Sequence, residues 1–507
     1  MSGAIYTAAD LTRDQTLDCE VCVVGTGAGG AVLAAGLAEG GLDVVMLEEG
    51  SHHTAATFSQ LERVAYATLY QERAARTTDD TAITILQGRS VGGGTTVNWT
   101  TCYRTPDRVL HHWARQYGLE GLSPEALAPH FEAVEERLRI GQWPEALVNA
   151  NNRVLMDGCR ALGWHAEILR RNVFGCRNSG LCGLGCPYDA KQGMLLTYVP
   201  DAVAAGARLY ANTRAWTLTL DQGRVTGVRA EVMAPDSHRP TGVSLTVRAR
   251  VVAVCGGAIN SPALLLRSGL DLGGRVGART TLHPVVGLAA LHDREIAGYA
   301  GAPQSAASHQ FTDRGDEVGF FIEVSPVQPM LAGAAFPPLS PVTAEHIGQL
   351  PRMSTLLAIH HDGMHPGCPG GTVWINDAGH PRLRYPVPPP LASAFRDATR
   401  AMAQIAFAGG ARQATTYHRQ PITLRSADAL GALDDAAYGA LAHSIFSAHL
   451  MGGCVMGSVV DAEHRVEGVP NLFVVDGSVF PTALGVNPSL SIYGIAHRAR
   501  RFVGEAV

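Results

Sequence analysis

The stretch CEVCVVGTGAGGAVLAAGLAEGGLDVVMLEEG, Cys19 to Gly50, constrains this chain more than any other. Glu20–Val24 is an apolar run that reads as a buried strand. It is followed by the turn Gly25-x-Gly27-x-x-Gly30 and a small-residue segment of helical character. In such a unit the first glycine permits the tight turn, the second lets a pyrophosphate approach the backbone, and the third lets the helix pack on the strand. The phosphates then meet free N–H groups at a helix N-terminus, where the dipole favours an anion. Glu48 ends the next strand, eighteen residues past Gly30, and its carboxylate is placed to bind ribose hydroxyls. The unit predicts a dinucleotide-binding α/β fold of Rossmann type, without deciding between nicotinamide and flavin.

Two further segments repeat the design. Arg248–Cys255 is a buried-strand pattern that ends in Gly256-Gly257, and Asn471–Val475 ends in Asp476-Gly477. Ligands of open α/β sheets lie beyond the carboxyl ends of the strands, so the three strand ends define a cofactor crevice. At 507 residues the chain has room for a second domain. A net charge of −5 supplies no footprint for nucleic acid or an anionic membrane. The first 25 residues lack a basic start followed by an apolar core, and no apolar run approaches the ~20 residues of a transmembrane helix. The expectation is a cytoplasmic protein with no transmembrane segment. Its ten cysteines are then expected reduced, most of them as small core residues inside apolar strands.

Three more motifs follow in order: GRSVGGGTTVNWTTCYRTP (Gly88–Pro106), GGAINSPALLLRSG (Gly256–Gly269), and a tail running from HLMGGCVMG (His449–Gly457) to VVDGSVFPTALGVNPSLSIYGIAHRA (Val474–Ala499). With the glycine turn they resemble the glucose–methanol–choline oxidoreductases over both ends and the middle of the chain; only roughly 300–440 lacks a match. Within that family, GGG-x-x-VNW and a cysteine loop ending KQG look like long-chain alcohol oxidases, while GGC and GVNP in the tail resemble cholesterol oxidases. The resemblance implies a Rossmann-like FAD domain assembled from 15–105, 195–285 and 441–507, with an α+β substrate domain from 106–194 and 286–440. It places Gly93, Gly94 and Asn98 against the flavin and pyrophosphate. Gly257, Asp476, Gly477 and Pro488 complete the cofactor set. Trp216 falls on a strand beside the adenine, where a core tryptophan fits as well. Some relatives attach FAD through a histidine where this chain has Val97, so dissociable FAD is expected.

The family likeness also implies the chemistry. Oxidising an alcohol requires loss of the hydroxyl proton and of a hydride from carbon, and a base near the hydroxyl assists both. His449 matches the active-site histidine and takes the proton role, whereas Asn487, an amide, positions the substrate oxygen. His443 and His497 match nothing catalytic. The implied partners are a small-molecule alcohol and either oxygen or another electron acceptor. The apolar, proline-rich segment Gly319–Pro341 suggests a greasy pocket wall. Glu323 within it reads as a strand residue facing solvent, although it is available to supplement the base. Alternatives within the same superfamily are a sugar or glycoside dehydrogenase carrying an iron–sulfur cluster and a non-redox cyanohydrin lyase.

Two clusters resemble metal sites. IHHDGMHPGC (Ile359–Cys368) lies in a Gly/Pro-rich turn between apolar runs and reads as a hairpin. Cys176, Cys182 and Cys186 have the spacing C-x5-C-x3-C, enough for three thiolate ligands. The sugar dehydrogenase subunits carry a further cysteine where this chain has Gly175, and the following DAKQG fits the alcohol oxidases better. The loop therefore reads as metal-free.

Overall fold

Val21–Val24, Val251–Val254 and Leu472–Val474 are continuous apolar runs, a pattern expected of strands buried on both faces of a parallel sheet. The computed structural model, which describes residues 3–338 and 340–507, places them side by side. The parallel strands run in the order Ala4–Tyr6, Arg208–Tyr210, Val44–Leu47, Gln15–Val24, Pro240–Val254 and Val469–Val474. Val24 is in register with Val254, and Val254 with Val474. The three strand ends read from the sequence therefore open onto one edge. Arg224–Met233 and Thr213–Asp221 extend the sheet as antiparallel strands. Helix Ala28–Glu39 is buried along nearly its whole length and packs against the carboxyl-terminal helix Ser489–Gly504.

A second sheet centres on Val285–Leu291, every residue of which is buried. It pairs antiparallel with Met353–His360 and Gln413–Thr416; Phe320–Val324 adds to Met353–His360. Helix Pro389–Ala408 lies across it, presenting Leu391, Phe395, Ala398, Met402 and Ile405 at helical spacing. Ile445–Ser447, just before His449, bridges to Val285. The site residues thus stand between a sheet shaped for a dinucleotide and one that walls a pocket.

Ala4–Tyr6 pairs in the first sheet, ahead of residue 15, and Ile83–Ile85 and Ile445–Ser447 pair within the second sheet. Two other expectations are corrected. The hairpin expected at Ile359–Cys368 does not form. Met353–His360 belongs to the second sheet, whereas Gly371–Ile375 pairs with Ala278–Thr280 and Pro381–Arg384. The cause is Asp362, a buried carboxylate that accepts the Leu282 and His283 N–H groups and the Tyr385 hydroxyl and so ties the turn to other partners. Of the ten cysteines only Cys19 and Cys22 lie within strands; Cys159 is in an α-helix, Cys182 opens a 3-10 turn of helix, and the others sit in turns and loops. A thiol is small enough to fill any tight gap, so apolar surroundings alone do not predict a strand. All ten are unbonded, and among the described residues no three His, Cys, Asp or Glu side chains converge as metal ligands. No described helix is long and apolar enough to cross a membrane.

Candidate active site

Where the central strands end, the backbone turns sharply. Gly25 has φ +102°, and a Cβ there would stand 2.4 Å from the Cys255 carbonyl oxygen, so only glycine fits. A Cβ at Gly30 would meet the Gly25 oxygen at 1.9 Å. Gly30 therefore brings helix and strand together and does not line the cavity. Gly27 differs from both. It caps helix Ala28–Glu39 with an ordinary φ of −72°, and the nearest atom to a Cβ there is the Gly93 Cα at 3.8 Å. No side chain caps this helix, which leaves its first N–H groups available to an anion.

Glu48 lines the cavity but also organises the turn. One carboxylate oxygen accepts the Thr26 N–H and hydroxyl, and the other accepts the Gly50 N–H. Burial raises its pKa. Asp476 plays the corresponding part at the second turn, accepting the Gly257 N–H at 2.8 Å, the Ser261 hydroxyl at 2.6 Å and the Ser478 N–H at 2.7 Å. Trp216 is half-buried, with the guanidinium groups of Arg214 and Arg267 over its ring at 4.8 and 4.5 Å. The Asn98 side-chain oxygen is buried with no partner among the described residues. Gly94 faces open space. Lys191, the only lysine, lies behind this loop and donates to the carbonyls of Thr96, Asn98 and Cys182. It clamps the glycine loop to the cysteine loop, and burial lowers its pKa to about 8.

One cavity of about 660 Å³ runs from Gly25 and Gly27 past Gly93, Gly94, Asn98, Trp216, Gly257, Asp476, Gly477 and Pro488 to His449 and Asn487. That volume lies within the ~300–1,000 Å³ range of cofactor and ligand pockets. The uncapped helix end, the vacant side of Gly27 and the orphaned Asn98 oxygen fit a dinucleotide. Every site residue expected from the sequence lines the cavity except Gly30. Val97 is buried in an apolar cluster with Phe58, Tyr70 and Leu184, where it offers no nucleophile to the cofactor.

At the far end, His449 Nε2 and Asn487 Nδ2 lie 3.5 Å apart. Burial alone lowers the His449 pKa to about 4, so its imidazole is neutral at physiological pH. Asn487 Nδ2 also donates to Glu323 Oε2 at 3.2 Å, while Asn487 Oδ1 has no described partner. Glu323 does not face solvent, contrary to the expectation. It is fully buried, and Gln304 Nε2 donates to the same Oε2 at 2.7 Å. Burial pushes its pKa up to about 8 against the opposing hydrogen bonds from Asn487 and Gln304. Alternation alone left its facing undecided, because the strand Phe320–Val324 is covered on both sides. His283, Gln304, Thr355, Tyr417 and Phe446 also went unrecognised, since none stands in a motif. In the segment Gly319–Pro341, expected as a greasy pocket wall, Leu331, Ala332 and Ala335 line the cavity; Leu339 lies outside the described residues.

Denaturing the holoenzyme is expected to free all of its flavin into the supernatant; flavin that stays with the precipitated chain would contradict the argument from Val97. Metal analysis of anaerobically prepared protein should find iron well below one per chain, and stoichiometric iron would return the cysteine loop to the cluster reading.

Residues 64–285 and 371–496 match the amino- and carboxyl-terminal domains of the GMC oxidoreductases. The chain is 35% identical to an uncharacterized GMC-type oxidoreductase of Mycobacterium tuberculosis, over 94% of this chain and 74% of that protein. It is 31% identical to a long-chain-alcohol oxidase of Arabidopsis thaliana, over 94% of this chain and 66% of the other. A formate oxidase from Aspergillus oryzae, solved in a study of FAD modification, superposes with a TM-score of 0.72 at 15% identity, covering 96% of this chain and 98% of that one. The chain belongs to the GMC oxidoreductases, enzymes that act on CH–OH groups with FAD as cofactor.

Proposed function

We propose that this enzyme oxidises an alcohol carried on an apolar skeleton, with the hydroxyl oxygen between His449 Nε2 and Asn487 Nδ2. The observation that carries this reading is the wall beyond His449. Val285, Leu331, Ala335, Leu357, Ile359 and Phe446 line it, with Tyr417 beside them. Such a wall favours a hydrocarbon by excluding water from its surface, and it leaves sugar hydroxyls unpaired. The long-chain-alcohol oxidases among the relatives support the same class of substrate. An anaerobic screen tests it. Apolar alcohols should bleach the flavin and monosaccharides should not; the reverse pattern would overturn it.

Bound FAD supplies the acceptor for the hydride that leaves the carbinol carbon. The chain must hold the hydroxyl and remove its proton. Asn487 Oδ1, a buried acceptor with no described partner, is available to the hydroxyl hydrogen in the ground state. Two groups are candidates for the proton itself. His449 is neutral above about pH 4 and matches the family's active-site histidine. Glu323 is favoured by a separate observation: its Oε1 is buried without a described partner, one hydrogen bond behind Asn487.

The pH dependence of anaerobic flavin reduction separates them, because a base works only in its unprotonated form. With His449 as base, the rate falls only as pH drops toward about 4 and is level from 6 to 9. With Glu323 as base, the rate climbs as pH rises through about 8, where its carboxyl ionises.

A further inference from the structure

Behind His449, outside the cavity lining, stands His283. The main-chain N–H of Gly485 donates to His283 Nε2 at 3.1 Å. An amide N–H only donates, so His283 Nε2 must carry a lone pair. Burial, reinforced by the neighbouring rings of His449, His361 and His360, holds the His283 pKa well below the usual histidine range, so the ring is neutral. Its single ring proton is therefore on Nδ1. That nitrogen lies 3.3 Å from His449 Nδ1, which must accept. The proton of neutral His449 is then on Nε2: the competing donor there, Asn487 Nδ2, stands 3.5 Å away, too far to impose an acceptor against the closer Gly485 N–H at the other end of the pair.

We propose that His283 is a positioning residue that fixes His449 as an Nε2–H hydrogen-bond donor to the substrate oxygen. This rests on the reading that His449 and Asn487 flank an alcohol. Two N–H groups, His449 Nε2–H and Asn487 Nδ2–H, then converge on one oxygen and stabilise the negative charge that grows there as the proton leaves. With Nε2 already occupied, His449 is not the acceptor of the hydroxyl proton, which leaves the Glu323 carboxylate, one hydrogen bond behind Asn487 and outside the cavity lining, as the group on which that proton would come to rest.

The fold holds His283 firmly in this role. It is fully buried and adopts φ +48°, a conformation that non-glycine residues keep only where their surroundings impose it. Asp362 imposes it here by accepting the His283 N–H at 2.9 Å and the Leu282 N–H at 2.7 Å. Reversing the tautomer would set a His283 Nε2–H against the Gly485 N–H.

The test is nitrogen NMR of oxidised holoenzyme labelled with 15N-histidine, the His449 ring signals being assigned by their absence from His449→Gln. The expected result is a protonated Nε2 and a bare Nδ1; a proton on Nδ1 overturns the proposal. No substrate is involved, so this result stands whether or not apolar alcohols are oxidised. His283→Asp places an acceptor near the position of Nδ1 at a φ that aspartate tolerates. It should move the His449 proton to Nδ1, whereas His283→Asn, which can present an N–H there, should leave it on Nε2. An unchanged tautomer in a folded Asp variant counts against the proposal, and the wild-type spectrum decides the matter if that variant fails to fold. A glutamine at 449 keeps an N–H near the place of Nε2 but has no basic nitrogen. Flavin reduction in His449→Gln should therefore exceed that in His449→Ala by about 10-fold or more; equal rates would overturn the donor role.

Discussion

Replacing His449 by alanine is expected to slow reduction of the flavin by alcohol by about 10²–10⁴-fold, or about 3–5 kcal/mol of transition-state stabilisation, while FAD stays bound. His449 lines the same cavity as the glycine cradle but takes no part in the cradle itself. Whether its Nε2 donates to the oxygen or accepts its proton, the interaction is made chiefly as charge develops, so the loss should appear in the rate of the reductive step more than in cofactor content. Stopped-flow reduction without oxygen isolates that step. The substitution leaves His283 Nδ1 without its partner, so a thermal-unfolding control belongs beside the kinetics. Asn487→Ala should also slow reduction, by less if Asn487 only orients the oxygen. Near wild-type reduction in His449→Ala at full FAD occupancy would remove His449 from the reaction altogether.

Gly27→Val should yield folded protein without flavin. The φ of −72° at Gly27 is open to any residue, and the apoprotein offers a new Cβ no contact closer than 3.8 Å. The cost to folding is therefore small, of the order of the few tenths of a kcal/mol that separate poor N-cap residues from glycine up to ~1 kcal/mol. The valine methyl groups would stand in the gap between Gly27 and Gly93, where the cradle narrows and the pyrophosphate must approach the backbone. Gly30→Val is the contrasting variant. There the Cβ runs into the Gly25 oxygen at 1.9 Å, so the damage should register first as lost stability. FAD per chain and unfolding temperature, read together, distinguish the two. Stoichiometric FAD in Gly27→Val would mean that the phosphates do not lie in this cradle.

The two sets of residues stood out in the sequence for different reasons. The cradle is local: strand, turn and helix fall within about thirty residues, and each glycine answers a steric demand that its immediate neighbours create. Runs such as Val21–Val24 and Val251–Val254 announced central parallel strands because a strand covered on both faces has no polar positions to alternate. His449 and Asn487 were found by motif, since single histidines and asparagines carry no signal of their own. Other features were decided only by tertiary structure. Glu323 lies 164 residues from Asn487 in sequence, and His283 lies 166 from His449; each pair meets because strands of the second sheet and the carboxyl-terminal loop converge there. The turn after His360 looked like a hairpin because glycine and proline signal that the chain reverses without specifying which strand it will pair with. Asp362, through hydrogen bonds to Leu282, His283 and Tyr385, made that choice. Lys191 carried no visible purpose until Thr96, Asn98 and Cys182 turned their carbonyls toward it. Periodicity and turn chemistry act over a few residues and specify the cradle and the strands. Burial, proton placement and hydrogen-bond partners depend on what the folded chain brings within about 3 Å, and those set the surroundings of His449.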